Sequence, residues 1–244
     1  MTDQNFAFEA DTGKILNIVI NSLYSQKEIF LRELVSNASD AISKRKFGVI
    51  SEGGMDDNFD GEISITVDEK AKTISISDNG IGLDADEMKD TLGTIASSGT
   101  KAFMESISGD DSKDDMGDRL IGQFGVGFYA AFMVADRIEV LSLRHGGTNA
   151  CRWESDGSSG FSISPAERDG TGTEITLHLR KDAKEYLDQP RIAHLVRKYS
   201  DHIAQPIFWI GKDGDREQLN SSTALWTRTA KEISTEEYQN FYAS

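Results

Sequence analysis

One cysteine, Cys151, occurs in the 244 residues, so no internal disulfide can form, and this usage fits a reducing compartment. Metal motifs are missing too: His145, His178, His194 and His202 join no Cys or His at zinc spacing. Basic residues are scarce, 26 Lys and Arg against 41 Asp and Glu, for a formal net charge of −15. That balance argues against nucleic-acid binding as the main activity and leaves any phosphate contact to a few local groups. Hydrophobic runs are short, none approaching the roughly 18 residues that span a bilayer. Residues 1–11 show neither the basic nor the apolar region of a secretory signal. These absences predict a soluble, cytoplasmic chain with no membrane partner. The length suits one large domain, or one domain plus part of another.

Turn signals and periodicity organise what is present. Residues 15–46 carry helical periodicity with a break near 21–25, and 48–61, rich in Gly, Asp and Ser, reads as a loop. Strict alternation at Ile63, Ile65 and Val67, then Ile74 and Ile76, predicts a β-hairpin with one buried face. A short helix is predicted at 84–92. Residues 108–118, with five Asp and one Lys, form a polar segment, read either as a surface loop or as a lid beside the glycine-rich run at 122–127. A helix is predicted at 128–134, strands at 138–143, 150–154, 161–164 and 174–179, helices at 183–187 and 191–202, and a last strand at 206–210. Hairpin-joined strands with helices bunched elsewhere predict an α+β fold, a two-layer sandwich of a mostly antiparallel sheet with helices on one face.

Within this frame, Glu33-Leu-Val-Ser-Asn37-Ala-Ser-Asp40-Ala41 sets carboxylate, amide and carboxylate within a wedge of roughly 60° on one helix. The wedge borders the apolar side formed by Phe30, Leu34, Val35, Ala38, Ala41 and Ile42. Taken alone it reads as the polar edge of an amphipathic helix or as the wall of a cavity. Asp78-Asn79-Gly80-Ile81-Gly82 follows the second hairpin strand. It is either a plain turn or a carboxylate placed to accept from an exocyclic amine, with Gly82 letting a ring approach the backbone. Gly122-Gln-Phe-Gly125-Val-Gly127-Phe128 opens a helix and suits close approach of phosphate, though it is neither a Walker loop nor a Rossmann turn. Gly172-Thr173 enters a strand and could place a hydroxyl near the same pocket.

In this order the four strings resemble the ATPase superfamily of gyrases, chaperones, histidine kinases and mismatch-repair proteins. The flanking strings narrow the resemblance. Ser25-Gln-Lys-Glu-Ile-Phe-Leu-Arg-Glu33, Leu92-Gly-Thr-Ile-Ala-Ser-Ser-Gly-Thr-Lys101, Leu120-Ile-Gly-Gln-Phe-Gly-Val-Gly-Phe-Tyr129 and Lys198-Tyr-Ser-Asp-His-Ile203 are similar to the heat-shock protein 90 chaperone family in its bacterial form. The similarity covers essentially the whole chain.

This resemblance implies an ATP-binding, slowly ATP-hydrolysing chaperone domain that uses ATP/ADP and Mg²⁺. Glu33 would activate the attacking water, and Asn37 would hold Mg²⁺ between the phosphates. Asp78 would bind the adenine amine, assisted by Thr173 and Gly82, with Leu83 keeping the pocket apolar. Gly122, Gly125, Val126, Gly127 and Phe128 would embrace the phosphates through backbone N–H groups, and Asp40 and Ala41 would line the base and sugar. Residues 93–122 would form a lid. The implied partners are unfolded client proteins, a second copy in the full-length protein, and ansamycin-type inhibitors. By the same resemblance, 1–220 is the ATP-binding domain and 221–244 a connector into a middle domain. The chain then reads as an amino-terminal fragment, monomeric and weakly active.

Leu83 stands where the family often has Met, and Ser97 where many members have Lys. Two other readings stay open: a histidine-kinase catalytic domain, for which no phosphoacceptor hairpin precedes residue 33, and a nucleotide-gated binding module without turnover.

Overall fold

The alternating isoleucines dictate the first pairing. β1 (Ile63–Asp68) and β2 (Thr73–Asp78) form an antiparallel hairpin with Ile65 opposite Ile76 and Val67 opposite Ile74. At its turn the Asp68 carboxylate accepts the N–H groups of Lys70 (2.8 Å) and Ala71 (2.9 Å), an Asx-type closure. The computed structural model describes residues 26–51, 59–94, 127–158 and 160–222, with the side chains of 49–51 left aside. Sequence readings for 1–25, for most of the expected lid and for 223–244 lie outside these residues.

Among the described residues six more strands make the sheet eight-stranded: β3 (Ala135–Leu143), β4 (Ala150–Ser155), β5 (Ser162–Ala166), β6 (Gly172–Leu179), β7 (Ile207–Ile210) and β8 (Arg216–Gln218). Their spatial order is β5-β4-β3-β6-β2-β1-β7-β8. Every pairing is antiparallel except β1 with β7, where Ile63 lies opposite Ile207 in parallel register. One phase of the strands is buried: Ile63, Ile65, Ile74, Ile76, Ile138, Val140, Trp153 and Leu177. The other phase carries Ser64, Thr66, Ser75, Ser77, Glu139, Arg152 and Thr176, none of them buried. A sheet with one apolar and one polar face takes its helices on one side, as the hairpin pattern predicts.

On that side lie α1 (Ile29–Ser51), α2 (Ala85–Leu92), α3 (Gln189–Ser200) and two 3₁₀ segments, Gly127–Met133 and Lys181–Leu187. α1 buries Phe30, Leu34, Val35, Ala38 and Ile42 in the core, while α3 contributes Ile192, Leu195 and Val196. Phe30 also meets Tyr186 edge-on at 4.9 Å. α2 starts at a capping box in which Asp84 accepts from the Glu87 N–H and Glu87 accepts from the Asp84 N–H.

Three local expectations change. α1 runs past residue 46 to Ser51 and carries Gly48 inside the helix, at a cost of about 1 kcal/mol relative to alanine. The helices expected at 128–134 and 183–187 are 3₁₀ segments; in the first, every residue from Phe128 to Met133 is buried, leaving no polar face to set a 3.6-residue period. β8 was not expected, because Arg216-Glu-Gln has no apolar residue to mark a strand.

Candidate functional site

At the end of the sheet beneath α1, the buried strand phase turns polar. Asp78 on β2 is in register with Thr173 on β6, and Thr173 with Ser142 on β3. All three are buried. Ser142 Oγ accepts the Leu83 N–H at 2.8 Å, donates to the Gly172 carbonyl at 3.0 Å and lies 2.9 Å from Thr173 Oγ1. Residues Asp78, Thr173, Gly82 and Leu83, expected to act together, are thus joined in one polar floor. Ser142 was not foreseen. Its signal is a hydroxyl in the inward phase of β3, in step with Ile138 and Val140.

Asp78 is met mainly by backbone groups. Its carboxylate accepts the Gly80 N–H at 2.8 Å and is drawn on by the Thr173 N–H and the Arg168 guanidinium. Burial outweighs these and pushes its pKa up to about 7. Arg168, from the loop before β6, donates to Ser77 Oγ and to the Asp78 carbonyl, both at 3.3 Å.

The turn after Asp78 is pressed onto its neighbours. Ile81 N–H donates to the Ala41 carbonyl at 3.0 Å, fastening the turn to α1, and Gly80 lies so close to the Ala41–Ile42 backbone that a Cβ would not fit. Gly82 has φ +66°, and a Cβ there would run into the Leu143 carbonyl. Leu83 is partly buried and packs on the core.

α1 forms the opposite wall. Glu33, Asn37 and Ala41 are half-buried and Asp40 is buried, all on one face. Arg32 donates to Glu33 Oε1 through Nε (3.1 Å) and Nη2 (2.6 Å). Gly127 abuts the Glu33 carboxylate, whose Oε2 occupies the space a side chain at 127 would need. Phe128 turns its ring into the core, edge-on to Trp153 at 5.5 Å, so only its backbone can serve a ligand. Gly122, Gly125 and Val126 lie outside the described residues.

One further charge was missed. Lys44 continues the Glu33–Asn37–Asp40 face by another turn. Burial lowers its pKa, opposed by Asp40 and Glu87 and reinforced by Arg144. Arg144 itself meets Glu87 at 3.4 Å.

Among the described residues no group of three or more His, Cys, Asp or Glu side chains could hold a metal ion. What the helix offers a cation is the amide oxygen of Asn37, one turn from the Glu33 carboxylate, a hard donor suited to Mg²⁺ when most ligands come from phosphate and water. No helix among the described residues is long and apolar enough to cross a membrane.

An open, mostly antiparallel sheet, one helical layer, and a helix bearing Glu and Asn over a buried Asp define an ATP-binding class, and comparison agrees. The chain belongs to the histidine kinase-, DNA gyrase B- and HSP90-like ATPase family, which it matches over residues 24–164. It is also 50% identical to the chaperone protein HtpG of Roseobacter denitrificans over 99% of its own length and 38% of that protein's. Against HtpG of Rickettsia massiliae the identity is 49% over all of the chain and 39% of the relative, and against HtpG of Bordetella parapertussis 49% over 98% and 39%. The chain therefore spans about two fifths of the curated relatives it matches.

Proposed function

We propose that this chain is the ATP-binding and ATP-hydrolysing domain of a molecular chaperone of the HtpG kind. The observation that carries the reading is the Asp78 carboxylate, buried beyond what its Gly80 and Thr173 N–H partners offset and lying in register with Thr173 beneath the helix that bears Glu33 and Asn37. A buried carboxylate of this sort favours a ligand that brings N–H groups, and the adenine amine is such a donor. Gly82 and Leu83 flank the base, while Asp40 and Ala41 line the base and sugar.

Asn37 would hold Mg²⁺ through its amide oxygen, and the ion would supply charge neutralisation on the phosphates. Glu33 takes the proton of the attacking water. In the described state Arg32 shares that carboxylate, so Glu33 must loosen from Arg32 to serve fully as a base. Gly122, Gly125, Val126, Gly127 and Phe128 receive the phosphates on backbone N–H groups, with residues 93–122 acting as a lid.

On this reading 1–220 is the nucleotide domain and 221–244 leads onward. Homodimerisation, client-protein binding, ansamycin-type inhibition and a cytoplasmic location belong to the whole protein. Turnover by the 244-residue chain alone is slow, in keeping with its share of its relatives' length.

The test is Glu33→Ala in the whole protein. The expected result is ATP hydrolysis down by at least about 100-fold, with calorimetric affinity for ATP and Mg²⁺ kept within about threefold. Unchanged hydrolysis removes Glu33 as the base, and a wild type that binds no ATP rejects the reading altogether.

A further inference from the structure

The hydroxyl protons at the floor of the site can be counted. Ser142 has one proton and two lone pairs. Its proton goes to the Gly172 carbonyl at 3.0 Å, and one lone pair takes the Leu83 N–H at 2.8 Å. The remaining contact, 2.9 Å to Thr173 Oγ1, must then be donated by Thr173. Thr173 is left with no proton for a ligand and presents lone pairs only.

Ser142 is fully buried, so no solvent competes for these bonds. The Gly172 carbonyl that takes its proton is held by a backbone at φ +121°, where a Cβ would strike the Asp78 carbonyl. Position 172 is thus confined to glycine and the acceptor geometry is fixed.

We propose that Ser142 is a specificity-determining positioning residue: by taking the Thr173 proton it sets two acceptors side by side, Thr173 Oγ1 and the Asp78 carboxylate, to read an exocyclic amine. The proposal rests on the nucleotide-site reading and deepens it. A six-amino purine brings two N–H donors to this pair. At pH 8, where Asp78 is mostly ionised, a six-oxo purine brings a carbonyl oxygen against two acceptors, which costs affinity because neither lone pair is met. Without Ser142 the Thr173 hydroxyl is free to rotate and donate, and the site loses its preference.

Calorimetry at pH 8 with ADP and with inosine diphosphate, on the 244-residue chain, tests this. Ser142→Ala is expected to weaken ADP about tenfold while inosine diphosphate changes little, so their affinity ratio drops by about tenfold. Because Ser142 acts through Thr173, Ser142→Ala combined with Thr173→Val should be no worse for ADP than Thr173→Val alone. Ser142→Thr, which keeps the hydroxyl, should restore the ratio.

A lowered melting temperature with the ratio unchanged within twofold makes Ser142 a structural hydroxyl and overturns the proposal, as do independent, additive effects of the two substitutions. If Ser142→Ala does not fold, Ser142→Cys, a weak acceptor, takes its place: a reduced ratio supports the proposal and an unchanged one overturns it. Loss of ADP binding in Asp78→Asn alongside a wild-type ratio in Ser142→Ala overturns only the role of Ser142. A wild type that binds neither nucleotide overturns the site reading and this proposal with it.

Discussion

Two carboxylates, at opposite ends of the helical layer, are shifted in opposite directions. Glu28, just ahead of α1, accepts from Arg191 (2.8 Å), Lys198 (2.9 Å) and the Tyr199 hydroxyl, and Arg191 is steadied in turn by Glu185 at 2.9 Å. The Tyr199 and Lys198 bonds pull its pKa down to about 2. Asp78, at the end of β2, is buried and pushed up to about 7. The first group is saturated by its own chain and ties α1 to α3. The second is met by two backbone N–H groups and the Arg168 charge, too little to offset its burial, and on the proposed reading its remaining acceptor capacity serves a ligand. Both are acids near the same helix; the source of the donors separates structure from recognition.

The strongest way to break this contrast is Asp78→Asn, which keeps the shape but replaces the acceptor pair with a half-donor amide. ADP affinity should fall by about 100-fold or more in calorimetry. Equal affinities would place the amine elsewhere.

Acidity should act next, and selectively. A ligand that needs the Asp78 carboxylate binds about tenfold more weakly for each pH unit below 7. The charge that acts on the same titration is Arg168, whose guanidinium bonds the Asp78 carbonyl. For stability without ligand the signs differ. The folded pKa of Asp78 is raised from 3.8, so its contribution is complete below 3.8 and lost as pH climbs through about 7. That of Glu28 is lowered from 4.5, so its contribution is present above 4.5 and lost as pH falls toward 2. Binding that is flat between pH 5 and 8 would contradict the Asp78 assignment.

A smaller effect comes from Glu28→Gln. It should cost about 1–2 kcal/mol in urea unfolding at pH 7, with the gap to wild type closing near pH 2 and ADP affinity unchanged within twofold. Least of all should come from Lys27→Met, which removes the exposed 2.5 Å pair with Asp182 close to Glu28. No resolvable loss is expected in the same unfolding measurement, and a clear one would mean the tie between α1 and its neighbours extends to the surface.

Much of this architecture is legible in the sequence where the signal is local. Alternation at Ile63, Ile65, Ile74 and Ile76 marks the first hairpin and its buried face, and the Glu33–Asn37–Asp40 wedge marks the helix face that overlies it. The features that hide are non-local or lack contrast. The parallel pairing of β1 with β7 depends on chain segments far apart, and no periodicity encodes a partner. β8 is three polar residues held by backbone bonds to β7. Ser142 reads as one serine among strand residues until β3 is laid beside β6, when its place next to Thr173 gives it meaning. The 3₁₀ form of Gly127–Met133 arises from burial on all sides, which propensity does not report.

The pairing of Ile63 with Ile207 also fixes an order of events. β1 forms its hairpin with β2 from adjacent sequence, but its other edge is covered only when β7, near the far end of the described chain, arrives. A chain emerging during synthesis therefore carries an open, isoleucine-bearing strand edge for most of its length, and the long-range closure slows the final step. The folding chain thus passes through an aggregation-exposed stage, and any truncation ahead of Ile207 would hold it there.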